Sequence, residues 1–334
     1  MSLELPVIQA PISGYSDFAM REIARHHGAQ ATFSGLMLDR SVIHPKAWKQ
    51  PLFSHHPHES PLGGQLVGAD PDTMVRAAVV LQDHGYDLVD VNLACPAPKV
   101  LARGRGGALL RQPDLAIEIV RRLRHAVSVP LTVKLRTGHD QDQESRDAFW
   151  RICQGVLDAG ADALIVHGRC VVQRYAGQAD WDIVYEVKER FPHVTVLGSG
   201  DLFTAHAALD RLRNGPLDGL VLARGAIGNP WIFREVRALL AGDPLPIPPT
   251  VQEVGRVLEQ HFDLVLNLYD VKKAIGHFRK FCVGYCRRHP QRKSALLDLM
   301  AADTVPAVRG AITQWFHQYA GSETTWPVPG RAGK

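Results

Sequence analysis

The run Asp90-Val91-Asn92-Leu93-Ala94-Cys95-Pro96 places one cysteine just past an apolar stretch that reads as a buried strand. Pro96 stops the strand and fixes the backbone behind the thiol. A thiol held at a strand end, on a turn, is placed where catalytic groups gather. Cys95 is therefore a candidate catalytic group. The other cysteines, Cys153, Cys170, Cys282 and Cys286, are scattered. Cys282 and Cys286 lie one helical turn apart and read as packing. No pair has zinc-finger spacing, so no metal site is expected, and the odd, dispersed set fits a reducing compartment.

Further polar groups fall at the ends of other apolar runs. They are Pro11-Ile12-Ser13, Gln65, Asn92, Lys134 with Arg136, His167 with Arg169, Ser199-Gly200-Asp201, and Ala223-Arg224. A lysine inside a Val/Leu strand is costly unless it meets a partner. Polar groups at equivalent places on seven strands therefore indicate a site. The turns Gly-Ser-Gly-Asp and Ala-Arg-Gly-Ala-Ile-Gly-Asn-Pro-Trp are small-residue turns leading toward helices, a pattern suited to a phosphate group. With Gln65 and Lys134 they suggest a phosphorylated planar cofactor. Flavin mononucleotide (FMN) fits, with its phosphate on the last two loops, Gln65 on the ring edge and Lys134 at the electron-rich end.

The elements that must hold these groups follow from periodicity. Strands are expected at Pro6–Ser13, Ala31–Leu36, Leu62–Val67, Leu88–Leu93, Leu131–Leu135, Ala163–His167, Val194–Gly198 and Gly219–Ala223. Amphipathic stretches separate them, among them Pro71–His84, Pro113–Val127, Arg146–Ala159 and Trp181–Arg190. Ser16-Asp17, Asp70-Pro71 and Gln112-Pro113 are start signals for helices. Eight βα units over residues 1–242 match the roughly 250 residues of a (β/α)8 TIM barrel, with the site at the C-terminal ends of the strands. Residues 243–249 carry four prolines in seven and read as a stiff linker. Residues 250–334 read as a small all-helical domain.

The chain has 334 residues and a net charge of +4. The excess is confined to residues 243–334, where 12 Lys and Arg face 8 Asp and Glu; the barrel part is neutral. Lys272 to Lys293 holds eight basic residues and no acidic one. Lys272–Arg288 reads as an amphipathic helix. Ile275, Phe278, Cys282 and Tyr285 share one face, and Lys272, Lys273, Arg279, Lys280 and Arg287 fan over the other. A solvated face accounts for such a pattern in general. Its contrast with a neutral barrel favours phosphate contacts. The N-terminus carries no basic region before an apolar run and does not read as a signal peptide. No apolar run reaches the ~18 residues of a membrane span. A cytoplasmic protein is expected.

The segments APISG, GGQLVG, VNLACPAPKV, GGALL, VKLRTG, VHGR, GSGD and ARGAIGNPWIF, in this order, resemble the dihydrouridine synthase family, flavin enzymes that reduce uridine in tRNA. The branch is the bacterial one that includes the B-type synthase. The resemblance covers about residues 5–240 and extends more weakly over the helical region. It implies FMN and NADPH or NADH, with hydride from reduced flavin and a proton from Cys95. It implies that Pro11, Ile12, Ser13, Gln65, Lys134, His167, Ser199, Gly200, Asp201, Ala223 and Arg224 contact flavin. It further implies that Asn92 and Arg136 line the uracil pocket, that Arg169 and Arg174 face substrate, and that the C-terminal helices bind tRNA, here through Lys272, Arg279, Lys280 and Arg287. The residues Ala94, Cys170, Ser199 and Ala223 depart from the family's usual ones. A monomer bound to tRNA is the simple expectation. Two other readings remain: an FMN barrel oxidoreductase acting on a free pyrimidine, similar to dihydroorotate dehydrogenase, and a non-catalytic RNA-binding barrel.

Overall fold

A computed structural model describes residues 7–325. Pro6, expected to open the first strand, and residues 326–334 lie outside the described residues. Nine parallel strands form one sheet: β1 (Val7–Gln9), β2 (Ala31–Phe33), β3 (Met37–Leu38), β4 (Leu62–Val67), β5 (Leu88–Leu93), β6 (Leu131–Arg136), β7 (Ala163–His167), β8 (Thr195–Ser199) and β9 (Gly219–Leu222). β1 pairs with both β2 and β9, and β2 pairs with β4, so the sheet closes into an eight-stranded barrel. The expected second strand, Ala31–Leu36, is broken. Phe33 pairs with Gly63 and Met37 with Leu66, four residues on one strand against three on its neighbour. The extra residue is a bulge that bends the chain away, and the short β3 resumes the pairing.

Alternation along each strand sorts its side chains. On β5, Val89, Val91 and Leu93 point outward into the core beneath the helices, whereas Leu88, Asp90 and Asn92 point inward. The floor of the barrel is an apolar plug of Ile8, Ala10, Ala31, Phe33, Leu88, Ile165, Leu197 and Val221. Phe33 fills the space that Gly63 leaves open; a Cβ on Gly63 would overlap its ring. Above the plug the inward positions turn polar.

The helices of the barrel are α1 (Phe18–His26), α2 (Asp39–Val42), α3 (Pro71–Asp83), α4 (Pro98–Leu101), α5 (Pro113–Ala126), α6 (Gln143–Asp158), α7 (Asp182–Arg190), α8 (Ala205–Arg213) and α9 (Trp231–Ala241). Asp17 caps α1 through the Met20 amide and Asp70 caps α3 through Thr73. α6 starts three residues before Arg146 because Asp142 caps it through the Ser145 amide.

Residues 243–249 run extended and mostly exposed to Thr250. There a reciprocal pair of bonds between Thr250 and Glu253 opens α10 (Val251–Leu268). α11 (Val271–Tyr285), α12 (Arg292–Ala301) and α13 (Val305–Ile312) follow. This helical unit packs on the barrel. Tyr269 donates to Asp17 at 3.0 Å, Tyr15 meets Phe281 edge to face, and α11 crosses the turn after β9 at Gly228 and Gly284. Added Cβ atoms there would overlap backbone on either side, so the two segments touch main chain to main chain. No described helix is long and apolar enough to cross a membrane.

Candidate active site

A cleft opens at the C-terminal ends of the strands. It is lined by Pro11, Ile12 and Ser13 after β1, Gln65 on β4, Asn92 and Cys95, Lys134 and Arg136 on β6, His167 on β7, Ser199–Asp201 after β8, and Ala223 and Arg224 after β9. Each of these was singled out from the sequence. Leu36, Tyr175, Leu202 and Phe203 complete the wall and were not. Phe203 lies two residues past Asp201, so only its place on the loop could have signalled it.

Cys95 is held from both sides. Its amide donates to Oδ1 of Asn92 at 2.8 Å, and its carbonyl accepts from the Gly107 amide at 3.0 Å. Burial raises the pKa of its thiol, while a bond to the Ala97 backbone and the charge of Arg136 act the other way; the net effect is upward. The group is therefore a thiol at neutral pH. Asn92 in turn donates from Nδ2 to Oε1 of Gln65 at 2.8 Å, and Gln65 donates from Nε2 to Asp90 at 2.7 Å. Asp90 was missed as a site residue. Its signal was available: it precedes Asn92 by two, so a strand puts both on the inner face.

Arg136 ties three loops together. Nε donates to the Ala94 carbonyl, and Nη1 donates to the carbonyls of Cys170 and Arg174, each at 2.9 Å. Burial lowers its pKa to about 10, so it remains a cation. His167 is neutral: burial, then the charges of Lys134, Arg136, Arg169 and Arg224, push its pKa well below the ordinary value. Arg169 is buried and does not line the cleft. It donates to the Ala176 and Gly177 carbonyls and to Oδ2 of Asp201 at 2.6 Å, and so braces the loop after β7. Arg174 is exposed and lines a separate shallow pocket with His139 and Val171. Of these two, Arg169 lies buried within the loop after β7 and Arg174 on its exposed surface.

The turns after β8 and β9 form a cradle closed by glycine. Gly200 has φ +137°, and a Cβ there would meet Ala179 at 2.6 Å. A Cβ on Gly225 would overlap the Leu202 carbonyl oxygen, so the two turns lie in contact. Asp201 accepts from Arg169, the Ala179 amide and, at 3.0 Å, Arg224. Arg224 also lies over the rings of Tyr175 and Phe203. α8 and α9 begin at Ala205 and Trp231, a few residues past these turns, and a single 3-10 turn, Arg224–Ala226, opens directly after β9. The cradle is lined by Ser199 to Phe203 and Ala223 to Gly225. The methyl of Ala223 packs against the apolar plug.

On α11 the expected apolar face is buried: Ile275, Phe278, Cys282 and Tyr285, with Ala274 and Phe281. The basic residues divide. Lys272 is exposed. Arg279 donates to the Ala302 carbonyl at 2.7 Å, and Lys280 donates to the Gly14 carbonyl at 3.3 Å, beside the Tyr15 ring. Arg287 is half-buried. Arg288, one of the eight basic residues in the run, is buried and bonded to Asn229 and Glu235. It joins α11 to α9 and is no part of a solvent face.

Comparisons with known proteins follow the same outline. A model of the dihydrouridine synthase family matches residues 8–309. The chain is 33% identical over 280 residues to tRNA-dihydrouridine synthase B of Pasteurella multocida, covering 84% of this chain and 83% of that one. It is 34% identical over 303 residues to a probable tRNA-dihydrouridine synthase of Mycobacterium tuberculosis, covering 87% and 77%. Among solved structures it is similar to 6-hydroxypseudooxynicotine amine oxidase from Pseudomonas geniculata N1. The TM-score is 0.55 at 14% identity, over 77% of this chain and 50% of that one. A 2-naphthoyl-CoA reductase gives a TM-score of 0.54 at 12% identity, over 72% and 50%. The chain spans about half the length of these two, and the likeness is one of fold.

Proposed function

The chain belongs to the dihydrouridine synthase family, and from that premise we propose that it reduces a uridine of tRNA to 5,6-dihydrouridine, with FMN in the barrel mouth and NADPH or NADH as reductant. The observation that carries this is the convergence of Cys95, Asn92, Lys134 and Arg136 on one cleft. The cleft also fits FMN. The glycine cradle with Arg224 suits its phosphate, and Lys134 with Gln65 suits a ring that gains negative charge on reduction. When bound, FMN supplies the hydride that goes to carbon-6 of uracil.

The chain's own residues supply the rest. Negative charge develops on carbon-5 and its carbonyl as the hydride arrives. Cys95 donates its proton to carbon-5, and the thiolate left behind is reprotonated from water. Burial keeps the thiol protonated until that moment. The amide of Asn92 and the cations Lys134 and Arg136 steady the charge on the uracil carbonyls. The target base is turned out of the folded tRNA into the cleft. Lys272, Arg279, Lys280 and Arg287, with Arg174 at the rim, hold phosphates around it.

Purified protein incubated with NADPH and unmodified bulk tRNA tests this, with dihydrouridine mapped by position. One new site is the expected result. A protein that holds reducible flavin yet forms no dihydrouridine overturns the tRNA reading in favour of a free pyrimidine.

A further inference from the structure

Asp90 is fully buried beneath the cleft, on the inner face of β5. Its Oδ2 accepts from Gln65 at 2.7 Å, and its Oδ1 accepts from the Thr132 hydroxyl at 2.6 Å. The direction of these bonds is set from the far end. The backbone N–H groups of Ala94 and Cys95 can only donate, so Oδ1 of Asn92 must face them, at 3.1 and 2.8 Å. Nδ2 of Asn92 then faces Oε1 of Gln65, and Nε2 of Gln65 faces Asp90. The chain of donors requires an acceptor at its buried end. The second oxygen meets the Thr132 hydroxyl, which is free to donate to it, so the network accommodates the ionised carboxyl with both oxygens accepting.

A buried carboxylate is costly without a cation close by. The β5–β6 register pairs Asp90 with Thr132 and Asn92 with Lys134, which makes Lys134 the diagonal neighbour of Asp90 on the inner face. We propose that Asp90, held ionised by Gln65 and Thr132, is the positioning residue that keeps Lys134 charged in the cleft. Burial shifts both groups toward their neutral forms, and each charge opposes that shift in the other. Lys134 moves downward on balance, with Asp90 opposing and Arg136 adding to the fall. Asp90 moves upward on balance, with Thr132, Gln65 and Lys134 opposing the rise. The other titratable groups lining the cleft are Cys95 after β5, Arg136 on β6, His167 on β7, Tyr175 in the loop that follows, Asp201 after β8 and Arg224 after β9. Asp201 is paired with Arg169 and Arg224, and the charges that act on Lys134 are Asp90 and Arg136, so Asp90 is the negative charge that bears on the lysine.

Asp90→Asn isolates the charge. Its Oδ1 can accept from Gln65 while its Nδ2 donates to the Thr132 oxygen, so the relay survives. The test is an NMR titration of Lys134 in the ligand-free protein, after reductive methylation with 13C-formaldehyde, with the resonance assigned by its loss in Lys134→Met. The midpoint of Lys134 is expected to fall by about one pH unit or more in Asp90→Asn. An unchanged midpoint overturns the proposal. Should that variant fail to fold, Thr132→Val removes one donor to Asp90; a smaller fall in the same direction is expected, and no fall overturns the proposal. FMN affinity is titrated over the same pH range, because the positioning role rests on the flavin reading above. Affinity is expected to drop at the Lys134 midpoint in wild type and at the lower midpoint in Asp90→Asn, and to be flat in Lys134→Met. A midpoint shift with no matching shift in affinity reduces Asp90 to a structural counter-ion and overturns the positioning role. A wild-type protein without FMN affinity overturns the flavin reading itself and leaves the Lys134 midpoint to decide the ion pair.

Discussion

The Cys95 amide donates to the side chain of Asn92 at 2.8 Å, so the proposed proton donor is placed by the residue three positions before it. Strand end, amide and thiol form one rigid turn. Replacing Cys95 with Ala should leave flavin loading and flavin reduction by NADPH intact. Formation of dihydrouridine should drop by about 10²–10⁴-fold, the usual contribution of a positioned acid. Asn92→Leu acts differently, because it strips the acceptor from two buried amides. It should cost roughly 1–3 kcal/mol of stability as well as turnover. Melting curves and single-turnover assays on the two variants separate these effects.

The basic run on α11 yields a second pair of contrasting variants. Lys272 is exposed, whereas Arg288 is buried against Asn229 and Glu235. Lys272→Glu should weaken tRNA binding and lower the slope of log affinity against log salt by about one, with melting unchanged. Arg288→Ala should destabilise the protein, because it leaves Glu235 and Asn229 without their partner. Equal salt slopes for wild type and Lys272→Glu would remove that lysine from the phosphate contacts.

Two glycines of the same helix should respond with opposite signs. A Cβ on Gly284 would overlap the Ile227 carbonyl, where α11 crosses the turn after β9. Gly284→Ala should therefore destabilise by about 1–3 kcal/mol, as overpacking does. It should also push that turn, and with it Ala223 to Gly225, so FMN affinity falls too. Gly276 has nothing within 4 Å of an added Cβ. Gly276→Ala should stabilise by about 0.5–1 kcal/mol through backbone entropy alone. Thermal melts with and without FMN read both.

The barrel was legible because strand ends and alternation are local. Val89, Val91 and Leu93 against Asp90 and Asn92 already sort the two faces of β5 before any packing is known. What the sequence hides is where a long cation bends. Arg136 ends β6, and Arg169 and Arg174 follow the next strand, β7, yet of the three only Arg136 lines the cleft; Arg169 turns to Asp201 and Arg174 to the rim. Arg288 looks like surface charge by helical spacing, but Asn229 and Glu235, from a distant segment, claim it. The broken second strand was equally hidden, since a one-residue bulge at Phe33–Met37 depends on the register of β4. Asp90 was overlooked for a related reason: its partners Gln65 and Thr132 come from two other strands, β4 and β6.

Acid stability should trace to the seam between barrel and helices. His261 is 1% exposed, bonds the Tyr285 hydroxyl through Nδ1 at 2.9 Å, and has no partner on Nε2. Burial lowers its pKa to about 4; Asp17 opposes this and His277 adds to it. The unfolded chain binds this proton near pH 6.5 and the folded chain does not. Stability is therefore whole above that value and declines as pH falls toward 4. The loss from this one group approaches about 3 kcal/mol, the free energy of a shift of that size. Burial, followed by Arg234, lowers His27 to about 4 as well, so it adds a loss over the same window. Asp17 contributes below it. Burial alone would raise its pKa, but the hydrogen bond and charge of His277 hold it under the ordinary carboxylate value. Its share is thus lost only as pH drops further. His261→Phe removes one titrating group while keeping a ring in the same space. Unfolding free energies from urea titrations at pH 7 and pH 4.5 should differ less for this variant than for wild type, by about 2–3 kcal/mol. An equal difference would place the acid sensitivity elsewhere than the seam.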